Sequence, residues 1–131
     1  MKSIVIVALM LLVLSCNQNK DTDLLVGTWK ARWHDKSAMG HGIPGINCRT
    51  MDGAVDFRRD GQVNMKAYGH EGCIFMEDTV MHTLNWTLIG DSLQLSDGKS
   101  QSSMTYRIVS RQKNVIQCSL IGDIELKLTR N

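Results

Sequence analysis

From Leu24 onward this chain changes from apolar to polar every second residue, in one short segment after another, and a period of two is a strand signature. In the first segment, roughly 25–33, Trp29, Ala31 and Trp33 share a face and Lys30 and Arg32 take the other. Gly27 eases entry into that strand, and Trp29 supplies a large apolar plug two residues later. Met51 to Phe57 alternates next, with Met51, Val55 and Phe57 on one side and Asp52 and Asp56 on the other. Arg58-Arg59-Asp60-Gly61 then reads as a type I turn closed by a glycine bulge, and Gln62 to Tyr68 returns with Val63, Met65 and Ala67 inward. Thr79 to Leu88 places His82, Leu84, Trp86 and Leu88 inward. Leu93 and Leu95 mark a short strand between the turns Gly90-Asp91 and Asp97-Gly98. Met104, Tyr106 and Ile108 follow, then a polar turn from Ser110 to Asn114. Ile116, Cys118 and Leu120, and after Gly122-Asp123 Ile124, Leu126 and Leu128, complete the inward rows, which Arg130 continues.

Eight short strands, each with one apolar face and mostly tight connections, predict an all-β, eight-stranded up-and-down antiparallel barrel. Closure removes both sheet edges, and eight strands leave an interior that side chains fill or that holds one small ligand. Two connections are not tight. His34 to Asn47, holding Gly40, Gly42, Gly45 and the only proline, Pro44, is long for a compact domain and fits a functional loop or lid. His70 to Asp78 is also irregular.

The start of the chain is of another kind. Met1-Lys2 is basic, and Ser3 to Leu14 is apolar apart from Ser3, too short for a span that needs about 20 apolar residues. This reads as a secretory signal over 1–15. Val13, Ser15 and Cys16 resemble a bacterial lipobox, which implies acylation of the Cys16 thiol and cleavage before it, so that acyl chains anchor the mature protein to a membrane. The alternative is an ordinary signal with a chance cysteine. The polar residues that follow make 16–23 a flexible tether, and 24–131 the folded domain. Formal net charge is only +2, Lys2 of the signal included, so nothing favours nucleic acid or an anionic membrane surface, and aromatic residues are too few for a base-stacking platform.

Export permits disulfides. If Arg58 pairs with Gln62, partner numbers across the hairpin sum to about 120, and Cys48 falls opposite position 72, beside Cys73. A Cys48–Cys73 bridge is favoured over two unrelated thiols. Cys118 points inward and reads as a small buried hydrophobe.

The motifs Val26-Gly27-Thr28-Trp29-Lys30, Val55-Asp56-Phe57-Arg58-Arg59-Asp60-Gly61, Trp86 with Gly90-Asp91-Ser92-Leu93, and Leu126-Lys127-Leu128-Thr129-Arg130 together resemble the lipocalin pattern. More narrowly, the chain is similar to small lipocalin-like lipoproteins of Bacteroidetes. The resemblance implies a lipocalin-like barrel at the cell envelope, anchored to the outer membrane on its periplasmic or outer side. It also implies that Arg130 lies over Trp29 as the closure of one barrel end, with Gly27 beside it. The chain is shorter than a full lipocalin and shows neither a C-terminal helix nor the middle-loop motif. The fold therefore carries over more readily than a ligand.

Two functions from different classes follow. In the first, the barrel binds a small hydrophobic molecule lined by Trp33, Met65, Trp86, Met104 and Tyr106, with His82 and Tyr106 as the placed polar groups and 34–47 as a lid. His82 also fits a core histidine bonded to Tyr106. In the second, a filled barrel serves as an interaction or accessory module with no small ligand. No paired acid and base, serine nucleophile motif or phosphate loop is present, so no enzyme is expected. Neither is a cofactor. His34, His41 and His70 match no closed metal motif and read as exposed loop residues, so no metal is expected either.

Overall fold

The computed structural model describes residues 20–36, 50–68, 79–99 and 103–131. Within them the alternating segments form β1 (Gly27–Asp35), β2 (Thr50–Phe57), β3 (Gln62–Tyr68), β4 (Thr79–Ile89), β5 (Ser92–Ser96), β6 (Ser103–Gln112), β7 (Val115–Leu120) and β8 (Ile124–Thr129). Each strand pairs antiparallel with its sequence neighbour, and β8 returns to β1 to close the barrel. The architecture is the eight-stranded up-and-down barrel that the alternation requires. Successive side chains point to opposite faces, so one residue in two enters the interior. The interior is built from Trp29, Trp33, Phe57, Trp86, Leu93, Ile116, Leu126, Leu128 and their neighbours.

The β2–β3 hairpin has the expected register. Phe57 pairs with Val63 and Gly53 with Ala67. The Arg58 amide donates to the Gln62 carbonyl at 2.8 Å. Gly61 has φ +86°, the left-handed conformation that the glycine bulge demands. The Gln62 amide also donates to the Asp60 carboxylate at 3.0 Å, a side-chain bond that fixes the turn.

Three expectations are corrected. The first strand starts at Gly27 rather than Leu25, because residues 20–25 form a helical turn that occupies part of the expected tether. The polar stretch Ser110–Asn114 is mostly strand: β6 runs on to Gln112 and the turn is only Lys113-Asn114. A bulge at Val109 separates the pairs Ile108↔Cys118 and Ser110↔Gln117, which shifts the inward phase and sets Arg111 opposite Ile116. The first strand also carries His34 and Asp35, of which His34 was expected to open the long connection.

The two barrel ends differ. The tight turns 58–61, 90–91 and 113–114 and the helical turn all lie at one end. The other end receives β1, β3 and β5 as they leave the barrel and β2, β4 and β6 as they enter it.

Candidate functional site

At the first end the barrel is shut. Trp29 is 0% exposed, and its indole N–H donates to the Leu25 carbonyl at 2.7 Å. Leu25, carried by the helical turn, is itself buried. The Arg130 guanidinium lies over the Trp29 ring, 4.2 Å from its centroid, and donates to the Val26 carbonyl at 3.2 Å and the Lys113 carbonyl at 3.3 Å. Gly27 has φ +119°, and a Cβ there would meet the Arg130 guanidinium at 3.7 Å. Glycine is needed for the backbone conformation more than for room. Arg111 adds a second cation. It bridges Asp21 of the helical turn at 3.0 Å and Asp91 of the β4–β5 turn at 2.8 Å, and donates to the Gly90 carbonyl at 2.6 Å.

At the second end the inward rows are incompletely covered. Trp33 and Tyr106 meet across the lumen: the Trp33 indole N–H donates to the Tyr106 hydroxyl at 3.4 Å, and both residues are buried. On the same inward face, Met51, the cross-strand partner of Trp33, and Met65, the partner of Val55, are only half-buried, and Met104, two residues from Tyr106 toward the mouth, is 41% exposed. Leu84 is likewise half-buried against the core. Trp33 and Tyr106 therefore share this inward face with three incompletely covered thioethers, and together they are the candidate cup. Methionine suits such a face because its unbranched, polarizable chain repacks around ligands of different shape.

Of the six residues predicted to line a ligand, Trp33 and Tyr106 meet across the lumen, and the register sets Met65 and Met104 on the same inward face. Trp86 belongs to the shut half instead. It packs edge-to-face on Phe57, with centroids 5.3 Å apart at 74°, and its indole N–H donates to the Arg58 carbonyl at 3.0 Å. His82 stands opposite Met65 in the β3–β4 register but is exposed, and Tyr106 bonds Trp33 rather than His82, so it is not a core histidine. Burial pushes the Tyr106 hydroxyl above its ordinary value, partly offset by the Trp33 hydrogen bond, so the phenol is neutral at physiological pH. Cys118 is a free, buried thiol, pushed up to about 12 by burial, which makes it inert as a nucleophile. His34 is exposed, 3.2 Å from the Thr50 hydroxyl. Cys16, His41, Cys48, His70 and Cys73 lie outside the described residues, and with them the expected acylation site and disulfide. Among the described residues no group of three or more His, Cys, Asp or Glu side chains is placed to hold a metal ion.

Sequence reading missed the helical turn and Arg111. A signal existed for the turn: acidic residues at 21 and 23 immediately precede Leu24-Leu25, and acids favour a helix start. Nothing in the polar run around Ser110 announced the bulge.

The sequence matches no protein-family model and no curated protein. Its fold is similar to that of a solved protein. A lipocalin-like protein from Bacteroides uniformis superposes with a TM-score of 0.52 over 82% of this chain and 99% of that one, at 8% identity. A redesigned β-barrel gives a TM-score of 0.44 over 84% and 94% of the two chains, at 13% identity. At 8% identity the first likeness is one of fold: the chain has a lipocalin-like barrel.

Proposed function

We propose that this chain is a lipid-anchored cell-envelope protein whose barrel holds a small hydrophobic molecule in the cup above Trp33 and Tyr106. One observation supports the reading most directly. Inward residues at the shut end, such as Trp29 and Leu128, are 0% exposed, whereas Met104 on the same inward pattern is 41% exposed. Apolar surface left uncovered inside a concave opening favours an apolar occupant. The Tyr106 hydroxyl is the placed polar group, and Trp33, Met65 and Met104 are the apolar wall. No step of chemistry is assigned to the site, and a protein partner is not required.

Anchoring fits the same geometry. Cys16 lies a few residues before the helical turn that seals the shut end. Acyl chains on Cys16 would hold that end toward the bilayer and the cup away from it.

The competing reading is a filled barrel that acts as an envelope interaction module. The Trp33–Tyr106 contact across the lumen favours it to the extent that it shortens the cup. Native mass spectrometry of protein purified from its own host and freed of acyl chains separates the two. A retained small-molecule mass, lost in Met65→Glu and Met104→Glu variants, is expected. Clean unliganded spectra from stably folded protein, repeated across growth conditions, would leave the filled barrel in possession.

A further inference from the structure

A second concave surface lies on the outer wall, away from the lumen. Here the outward residues of β8, β1, β2 and β3 meet. Register sets Lys127 beside Arg32 and Arg32 beside Asp52, and one step along the strands Thr129 beside Lys30 and Lys30 beside Ala54. Tyr68, the last residue of β3, stands one position past the Gly53↔Ala67 pair and closes the side. The short Ala54 side chain among long neighbours leaves a groove of about 500 Å³. That volume falls within the range of small-ligand sites, roughly 300–1,000 Å³.

The groove carries surplus positive charge. The Arg32 Nε donates to the Asp52 carboxylate at 2.7 Å, so those charges answer each other. Among the described residues, Lys30 and Lys127 have no carboxylate partner. A chain close to neutral overall thus places two uncompensated ammonium groups on the rim of its outer groove. Tyr68, 42% exposed, offers an aromatic face at the opposite side of the groove from Lys127, and the Arg32–Asp52 pair between them offers both a donor and an acceptor.

We propose that this groove binds an acidic oligosaccharide of the uronic acid type. Each part of the groove has a use for that ligand. Lys30 and Lys127 take the carboxylates as charge-assisted hydrogen bonds. Arg32 and Asp52 take ring hydroxyls, which donate as well as accept. Tyr68 stacks on the apolar face of a sugar ring. A lone phosphate needs the lysines but not Tyr68 or the volume, and a planar lipid surface does not enter a concavity. The site lies on the outside of the barrel, so it stands or falls independently of the cup.

The test is calorimetric titration of the full-length protein with trigalacturonate, a neutral trisaccharide, inorganic phosphate and phosphatidylglycerol vesicles. Saturable binding of trigalacturonate is expected, weakening as salt rises, with the neutral trimer at least about tenfold weaker. The double variant Lys30→Gln/Lys127→Gln should weaken trigalacturonate by about tenfold or more, and Tyr68→Ala by about threefold or more, with melting temperature unchanged because these side chains point to solvent. Amide chemical-shift changes should map to β8, β1, β2 and β3. The proposal is overturned if trigalacturonate does not bind, or if binding survives the lysine changes. It is equally overturned if phosphate or vesicles bind as tightly with no dependence on Tyr68, which would make the groove a generic anion surface.

Discussion

Trp29 holds the shut end together through three different forces, and each has its own mutational signature. The ring is wholly buried, its N–H is bonded to Leu25, and its face carries the Arg130 cation. Trp29→Ala should cost about 3–5 kcal/mol, since both burial and cavity terms apply; an unchanged denaturant midpoint would exclude it as the plug. Gly53 constrains the other half. A Cβ there would collide with the Lys66 carbonyl oxygen and approach the Trp33 ring to 2.8 Å. Backbone cannot yield as a flexible side chain does, so Gly53→Ala should destabilise by about 3 kcal/mol and shift Trp33 fluorescence. A third residue reports on pH. Burial raises the Cys118 thiol from 9.0 to about 12, so the folded state keeps its proton where the unfolded chain has lost it. Stability from this group is therefore full below pH 9.0 and lost as pH climbs toward about 12. Chemical denaturation at a series of alkaline pH values should show the decline, and Cys118→Ala should flatten the slope whatever its absolute stability. Cys118 and Trp29 were readable from alternation, since parity says which face a side chain takes. Trp86 and His82 were not: parity is silent on height along the barrel axis, and height put one in the shut half and the other at an exposed position.

Two local irregularities, neither with a repeating pattern, decide how the barrel is sealed. The helical turn at 20–25 is too short to be stable alone. It persists because Leu25 is buried and because Asp21 and Asp23 reach Arg111 and Arg59. These ion pairs are unequal. Arg59 and Asp23 are 75% and 56% exposed, so Arg59→Ala should change stability by no more than about 0.5 kcal/mol. The Arg111 side chain is 20% exposed and holds two carboxylates and a carbonyl, so Arg111→Ala should cost about 1–3 kcal/mol and loosen the turn. Equal losses in the two variants, read from thermal melts, would contradict this division. Arg111 faces the seal only because the Val109 bulge changes the phase of β6. A one-residue insertion in a strand leaves composition and polarity untouched, which is why the stretch read as a turn. The β2–β3 hairpin was the opposite case: Asp60-Gly61 states its turn type outright, and the register followed from it.

Across the whole barrel, packing quality runs along the axis. The outline was readable because eight alternating segments with tight turns admit few other closed arrangements; the groove on the outer wall was not, since it depends on which outward residues closure of β8 on β1 brings together. The same axial gradient predicts where the molecule opens. Amides near Trp29, Phe57 and Leu128 sit under the sealed core and should exchange with solvent only through global unfolding. Amides near Met65, His82 and Met104 lie where inward side chains are uncovered, and should exchange through cheaper local openings. A ligand in the cup stabilises only states in which the cup is formed. A medium-chain fatty acid used as probe should therefore slow exchange at the mouth ends of β3, β4 and β6 in a saturable way. Exchange at the sealed end should slow only by the gain in global stability. Hydrogen-exchange mass spectrometry with and without the probe resolves the two ends. Protection confined to the sealed end, or none at saturating probe, would place any apolar ligand outside the cup.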